Sequence, residues 1–522
     1  MWVLPALALL AAWIWWGPGG GDRGRPNVLL VTIDTLRADA FADPEVHALH
    51  GLAARGTRFL RARTVAPLTL PAHVSLLTGV SPGHHGVRDN TAAPLPPRGA
   101  RDTTLLAEEL SDAGYVTAAF VAAGVLHARY ALDAGFGIYR SPPDPAPGDP
   151  RFPALAGEEQ VERLRQFLGN RPAARPWFAW VHLWEPHEPY ESWEGDGRRS
   201  ATDHSDPPGE RYRGEVRRSD SLLERMLALV DPGSTVVVVT SDHGESLGEH
   251  GEATHGVLCH GATMDIPLVI AGPGVPAGKV ERALCSLVDV PPTLRRLCGL
   301  APRPGDGMDL FALPEGRILC GESLYGHRLY GWAQQSVATD GTVSLLDGGP
   351  RLEIFDLSAD PGELFPLPEP LTHPSYEALD RALRAYRERA PGVQGGIESA
   401  SPESPYGSIR MPEREFRKPA ENRLLPDARE RMPRTMPLLH AMAAAIAARD
   451  RAAVTRLLDP IERIAAEEPG NPAPALERGR ALLLVLEDAQ GASEALEEAV
   501  RRGYRSPDLD RLLEAARKLA GR

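Results

Sequence analysis

Val28-Leu29-Leu30-Val31-Thr32-Ile33-Asp34 is an unbroken apolar, β-branched run that stops at a carboxylate. A strand with one wet face alternates polar and apolar residues. A run without alternation reads as a strand buried on both faces, as in a parallel sheet between helices. Thr235-Val236-Val237-Val238-Val239-Thr240 repeats the pattern and runs into Ser241-Asp242-His243-Gly244. Residues 177–182 form a third run, leading into Glu185-Pro186-His187-Glu188-Pro189-Tyr190. Residues 116–121 and 267–270 read as further strands; 45–55, 105–113 and 214–230 read as helices. Strands alternating with helices predict an α/β fold, a mostly parallel sheet sandwiched by helices. Such sheets bind ligands beyond the carboxyl ends of their strands. Here three strands end in Asp34, in His182 with Glu185 and His187, and in Asp242 with His243, which predicts one shared site.

A second stretch supplies a nucleophile. In Leu68-Thr69-Leu70-Pro71-Ala72-His73-Val74-Ser75-Leu76-Leu77-Thr78-Gly79, Pro71 suits a first helical turn and Gly79 a stop. Taken alone this is a capped helix. A hydroxyl at a helix N-terminus also lies where backbone N–H groups and the dipole favour an anion, which suits attack on a phosphate or sulfate ester. Asp34, Thr69, Asp242 and His243 together offer carboxylate oxygens, an imidazole and the nucleophile's own oxygen to a metal. A metal touching Thr69 would lower the hydroxyl's pKa, which a threonine needs. His187 and His255 are candidates for a second metal or for the leaving group. Imidazole with carboxylate favours zinc or manganese, with calcium as the remaining choice.

The 522 residues exceed one ordinary domain, and 43% hydrophobic with 24% charged residues describe a globular chain with a large core. The net charge of −13 argues against a nucleic-acid partner. Residues 2–16 are nearly all apolar and are followed by Gly17-Pro18-Gly19-Gly20-Gly21. They are too few for a full span, which needs roughly 20 residues. Residues 1–25 therefore read as a signal peptide or short membrane anchor, predicting an exported protein, periplasmic, extracellular or anchored by its N-terminus. Cys259, Cys285, Cys298 and Cys320 lack metal-type spacing and read as one or two disulfides or as buried thiols. Residues 391–435 read as a Pro/Gly/Ser-rich linker. Residues 436–522 carry Ala/Leu-rich helical patterns that resemble tetratricopeptide repeats without a clean period. This tail offers no candidate ligand, so the chemistry is expected to survive its removal.

Several blocks resemble, in order, the sulfatase branch of the alkaline phosphatase superfamily. They are residues 25–39, residues 69–79, Thr240-Ser241-Asp242-His243-Gly244, residues 286–294, and Ile354-Phe355-Asp356-Leu357-Ser358-Ala359-Asp360-Pro361-Gly362-Glu363. The resemblance implies a catalytic domain over 26–390 with a smaller C-terminal subdomain from about 301. It also exposes departures. Sulfatases carry at the position of Thr69 a cysteine or serine that becomes formylglycine, and at His73 an arginine. Threonine cannot form that aldehyde, so no formylglycine is expected. The lysine and histidine expected after Gly114-Tyr115 are replaced by Ala118-Ala119-Phe120-Val121, and the usual Asp-Asp pair by Asp34-Thr35.

These departures match relatives that use threonine: nucleotide pyrophosphatase/phosphodiesterases, lipoteichoic acid synthases and lipid A phosphoethanolamine transferases. The resemblance gives Asn90 the role of donor to a phosphoryl oxygen; His84, His85, Arg88 and His127 are candidates for supporting groups with no assigned role. The expected activity is metal-dependent cleavage or transfer of a phosphoester, phosphodiester or phosphoethanolamine in type, through phospho-Thr69. A sulfuric ester hydrolase is the alternative within enzymes. A non-catalytic scaffold that binds protein partners through its helical tail is the alternative of another class.

Overall fold

The computed structural model describes residues 24–90, 94–99, 101, 103–143, 154–190, 208–388, 419–504 and 507–521. The apolar N-terminal segment and most of the expected linker lie outside them. Twelve strands are seen among the described residues: β1 (Asn27–Ile33), β2 (Gly56–Arg63), β3 (Val116–Phe120), β4 (Ile138–Arg140), β5 (Trp177–Leu183), β6 (Thr235–Thr240), β7 (Asp265–Ala271), β8 (Lys279–Ser286), β9 (Leu319–Ser323), β10 (Gln335–Thr339), β11 (Val343–Asp347) and β12 (Leu352–Asp356).

The first eight form one sheet in the order β4-β3-β5-β1-β6-β7-β2-β8. Every pairing is parallel except those of β7 with β6 and β2. Parity along β1 sorts the core into two layers. Val28 and Leu30 join Phe178, Trp180, Val236 and Val238 on the face covered by the Thr69–Thr78 helix. Leu29, Val31 and Ile33 join Ala179, Val181, Val237 and Val239 on the other. That second face is covered by the helices His47–Arg55, Gly157–Asn170 and Pro208–Leu227, through Leu49, Leu164 and Leu222. The α/β sandwich read from the apolar runs is thus present.

β2 and β8 were not anticipated. The β2 sequence Gly56-Thr57-Arg58-Phe59-Leu60-Arg61-Ala62-Arg63 carries three arginines, so its hydropathy hides a strand. It pairs on both sides all the same. A second, antiparallel sheet in the order β12-β11-β10-β9 packs on the Tyr376–Glu388 helix through Ala338, Leu345, Ile354, Leu379 and Leu383.

The tail helices begin at Ala428, inside the stretch read as linker. Asp427 caps this first helix, its side chain accepting from Arg429 N. Pro433 and Pro437 lie within it and made its start look non-helical in sequence. Further helices are Arg451–Glu467, Ala473–Ala481, Ala489–Arg501 and Pro507–Leu519. The tail is not detached. Met432, Leu439, Met442 and Ile461 share one apolar cluster with Val257, Leu258, Tyr330 and Trp332 of the catalytic part. Buried Glu468 ties the two together, accepting from Trp332 Nε1 at 3.0 Å, Thr435 Oγ1 at 2.6 Å and Asn471 Nδ2 at 2.7 Å. The tail covers this cluster, and its removal would uncover it. All four cysteines are free thiols, three of them buried. No helix among the described residues is long and apolar enough to cross a membrane.

Candidate active site

The site forms at the carboxyl ends of β1, β5 and β6. Thr32 is in register with both His182 and Thr240, so the next residues of β1 and β6 emerge side by side. Asp34 follows directly. Thr35 then takes a positive φ of 57°, a strained conformation for a β-branched residue. That bend lets Thr35 N donate to Asp242 Oδ1 at 3.2 Å and Leu36 N to Ser241 Oγ at 2.9 Å, locking the two strand ends together. Gly244 is required by close approach, since a Cβ there would lie 2.1 Å from the carbonyl oxygen of Ala262.

Thr69 opens a ten-residue helix whose every residue is buried. Its Oγ1 lies 3.4 Å from His243 Nε2. The expected Asn90 is present with a role of its own: its Oδ1 accepts from Leu70 N at 2.9 Å, satisfying a backbone donor of the helix's first turn. That leaves the amide's N–H groups as its donors.

Asp34, Asp242 and His243 each offer a ligand atom, all within 4.8 Å of one another. Both oxygens of Asp34 and Oδ2 of Asp242 are buried without a hydrogen-bond partner. Buried unpaired carboxylate oxygens are rare and costly, and a cation is the natural reason for them. Burial, and then the charge of Asp242, push the Asp34 carboxyl well above its usual range. Burial acts the same way on Asp242, but His243, His73 and His182 overcome it and bring that carboxyl to about 2. Two carboxylates this close hold charge together only with a cation between them. The donor set therefore fits a divalent metal.

The remaining expected histidines also gather here. His243, His255 and His187 follow in a row, with ring centroids 4.4 and 5.0 Å apart. Each Nδ1 hydrogen-bonds with an oxygen: Gly244 O at 2.9 Å, Glu245 Oε1 at 2.9 Å and Glu188 O at 2.5 Å. The two backbone carbonyls fix the tautomer of His243 and His187 and put their lone pair on Nε2, as metal-binding or proton-accepting imidazoles need. Burial lowers the pKa of His187 and brings that of His255 to about 4. The groups expected only to support the site are engaged nearby. His85 Nε2 lies 2.9 Å from Ser75 Oγ, Arg88 pairs with Glu322 at 2.5 Å, and His127 Nδ1 accepts from Arg129 N at 3.1 Å.

Sequence reasoning assigned no site role to His73 or Glu245, and placed His182 only at a strand end leading into the site. His73 lies one turn after Thr69 on the same helix face, a spacing that pointed to it. His182 shares the parity of Trp180 on β5, the face toward that helix. Glu245, buried and bonded to His255, closes the run Asp242-His243-Gly244-Glu245 and carried no signal beyond that position.

The family model described as Sulfatase matches residues 26–300. The chain belongs to the sulfatase family. A choline-sulfatase of Rhizobium meliloti (strain 1021) is 28% identical over 457 residues, covering 70% of this chain and 86% of that protein. Among solved structures, a 2-O GAG sulfatase superposes with a TM-score of 0.57 at 18% identity, covering 77% of this chain and 100% of the other. The phosphonate monoester hydrolase of Agrobacterium radiobacter gives 0.55 at 21% identity, covering 70% and 96%. These two establish the fold, an alkaline-phosphatase-like α/β sandwich. As a member of this family of hydrolases the chain is an enzyme.

Proposed function

We propose that this enzyme cleaves or transfers a phosphoester, phosphodiester or phosphoethanolamine in type, through a covalent phosphoryl-Thr69 intermediate. The observation that carries the reading is the position of Thr69 Oγ1, on a buried helix N-terminus and 3.4 Å from His243, whose ring is grouped with Asp34 and Asp242. Asp34, Asp242, His243 and Thr69 would hold the first divalent metal, and His187 and His255 a second one or the leaving group. Zinc or manganese suits this mixture of imidazole and carboxylate better than calcium does. A bound cation supplies neutralising charge and a lowered pKa at the Thr69 hydroxyl.

The chain's own residues do the rest. Thr69 Oγ gives its proton to solvent and bonds to phosphorus as the bond to the leaving oxygen breaks. The leaving oxygen takes its proton from solvent beside His187 and His255, and Asn90 donates to the developing charge. In the second half, water or an acceptor alcohol attacks phosphorus, and Thr69 leaves and regains its proton.

The sulfatase relatives favour a second reading, sulfate ester hydrolysis. The residues speak against it. Threonine cannot become formylglycine, His73 stands where an arginine is expected, and Lys279 is the one lysine between residues 26 and 390. Lys279 is paired with Glu281 on β8. The apolar residues 2–16 support export or N-terminal anchoring. The test is a panel of aryl phosphodiester, phosphomonoester, phosphonate and sulfate esters with zinc, manganese or calcium. Phosphodiester or phosphonate turnover exceeding sulfate turnover supports the proposal; the reverse order overturns it.

A further inference from the structure

His73, His182 and Asp242 also bring one ligand atom each within 4.8 Å of one another, and by distance alone they would pass for another metal site. Hydrogen-bond direction gives a different answer. His73 is fully buried, with Nδ1 2.8 Å from Thr69 O and Nε2 3.1 Å from Thr32 Oγ1. A carbonyl only accepts, so Nδ1 carries the proton. Trp180 Nε1 is 2.9 Å from Thr32 Oγ1, and an indole only donates. Thr32 therefore accepts from Trp180 and passes its own proton toward His73 Nε2. The whole chain, Trp180 to Thr32 to His73 to Thr69, has one direction, and it uses both ring nitrogens of a neutral His73. His182 is set in a similar way. Its Nδ1 accepts from Ala122 N at 3.3 Å, which puts the proton on Nε2, 3.4 Å from Asp34 Oδ2.

Resting on the reading of Thr69 as nucleophile, we infer that His73 is a positioning residue and that neither it nor His182 is a metal ligand. His73 holds the Thr69 carbonyl, and with it the first turn that aims Oγ1. His182 presents an N–H rather than a lone pair beside Asp34, at 3.4 Å and without closing a hydrogen bond, so its Nε2 is not free to take a cation. An outer partner such as His73 fixes the direction of a nucleophile without touching the metal.

The test uses the full chain loaded with zinc or manganese and bis(4-nitrophenyl) phosphate as probe, with bound metal counted by elemental analysis. His73→Leu removes the donor to Thr69; kcat should fall about 10- to 100-fold from misplacement of the nucleophile. KM should stay within about twofold and metal content should match the wild type. His73→Asn places an amide N–H near Nδ1 and should recover most of the rate. Thr32→Val deletes only the orienting hydroxyl; it serves if His73→Leu misfolds, and should lower kcat in the same direction with metal content unchanged.

Loss of a bound metal in the folded His73 variants would make His73 a ligand and overturn the inference. Unchanged kcat in His73→Leu or in Thr32→Val would overturn it as well. Thr69→Ala is measured alongside. If it stays active, the nucleophile reading fails; if it is dead while His73→Leu runs at the wild-type rate, only the positioning inference fails.

Discussion

Asp34→Asn should make the metal-free protein more stable and the metal-loaded protein less so. Both Asp34 oxygens are buried and unpartnered, and the Asp242 carboxylate lies beside them. Burial and that neighbouring charge raise the Asp34 pKa, so the folded metal-free state keeps a proton that the unfolded chain has released. Its stability therefore falls as pH rises from the unfolded pKa through the folded one. Asparagine is neutral at every pH and its N–H can donate to Asp242. Relieving a buried unsatisfied carboxylate should return about 1–3 kcal/mol. Unfolding entropy of about 2.1 cal/mol/K per residue makes each kcal/mol worth roughly 1 °C in a chain of this size.

Thermal melts in chelator at pH 8 should then place the variant about 1–3 °C above the wild type. The gap should shrink toward pH 5. With free zinc at about 100 times its dissociation constant, the wild type should gain about 2.7 kcal/mol and the variant far less, reversing the order. A chelated variant that melts at or below the wild type, or an equal response of both proteins to zinc, would refute the metal assignment of Asp34.

Glu468→Ala should cost about 2–4 kcal/mol, because one buried carboxylate accepts from Trp332, Thr435 and Asn471; chemical denaturation of the full chain measures it. Loss of Ala428–Arg501 should expose Trp332 and Val257, so we expect a truncated chain that aggregates or loses activity, read by light scattering and turnover. Burial pushes the Glu252 carboxyl up to about 8 from its ordinary 4.5. Between those values the folded state holds the extra proton, so this group lowers stability as pH rises. Glu252→Gln should flatten that slope in pH-dependent melts, and an unchanged slope would remove Glu252 as its source.

Much of the site was legible because its chemistry sits at the ends of the plainest strands. β1 and β6 are pure apolar runs, and Asp34 and Asp242 are the residues where each run stops. Thr69 was readable from its place before Pro71. What escaped notice depends on three-dimensional pairing. β2 is written in arginines, and its strand state comes from β7 and β8 on either side. Glu245 bonds to His255, ten residues on and beside it in space. His73 stood out in sequence only as a missing arginine, because its bonds run to a strand residue 41 positions earlier and to a backbone carbonyl. The tail's contact with Trp332 joins residues far apart in the chain, which no local pattern encodes.

The central claim is a covalent phosphoryl group on Thr69. Wild-type enzyme turning over bis(4-nitrophenyl) phosphate should be acid-quenched during the first turnovers, digested and analysed by mass spectrometry. An aryl-phosphoryl ester on the peptide carrying Thr69 is expected, with both the adduct and turnover absent from Thr69→Ala. Near-full turnover by Thr69→Ala, or wild-type turnover without an adduct on Thr69, would contradict the account.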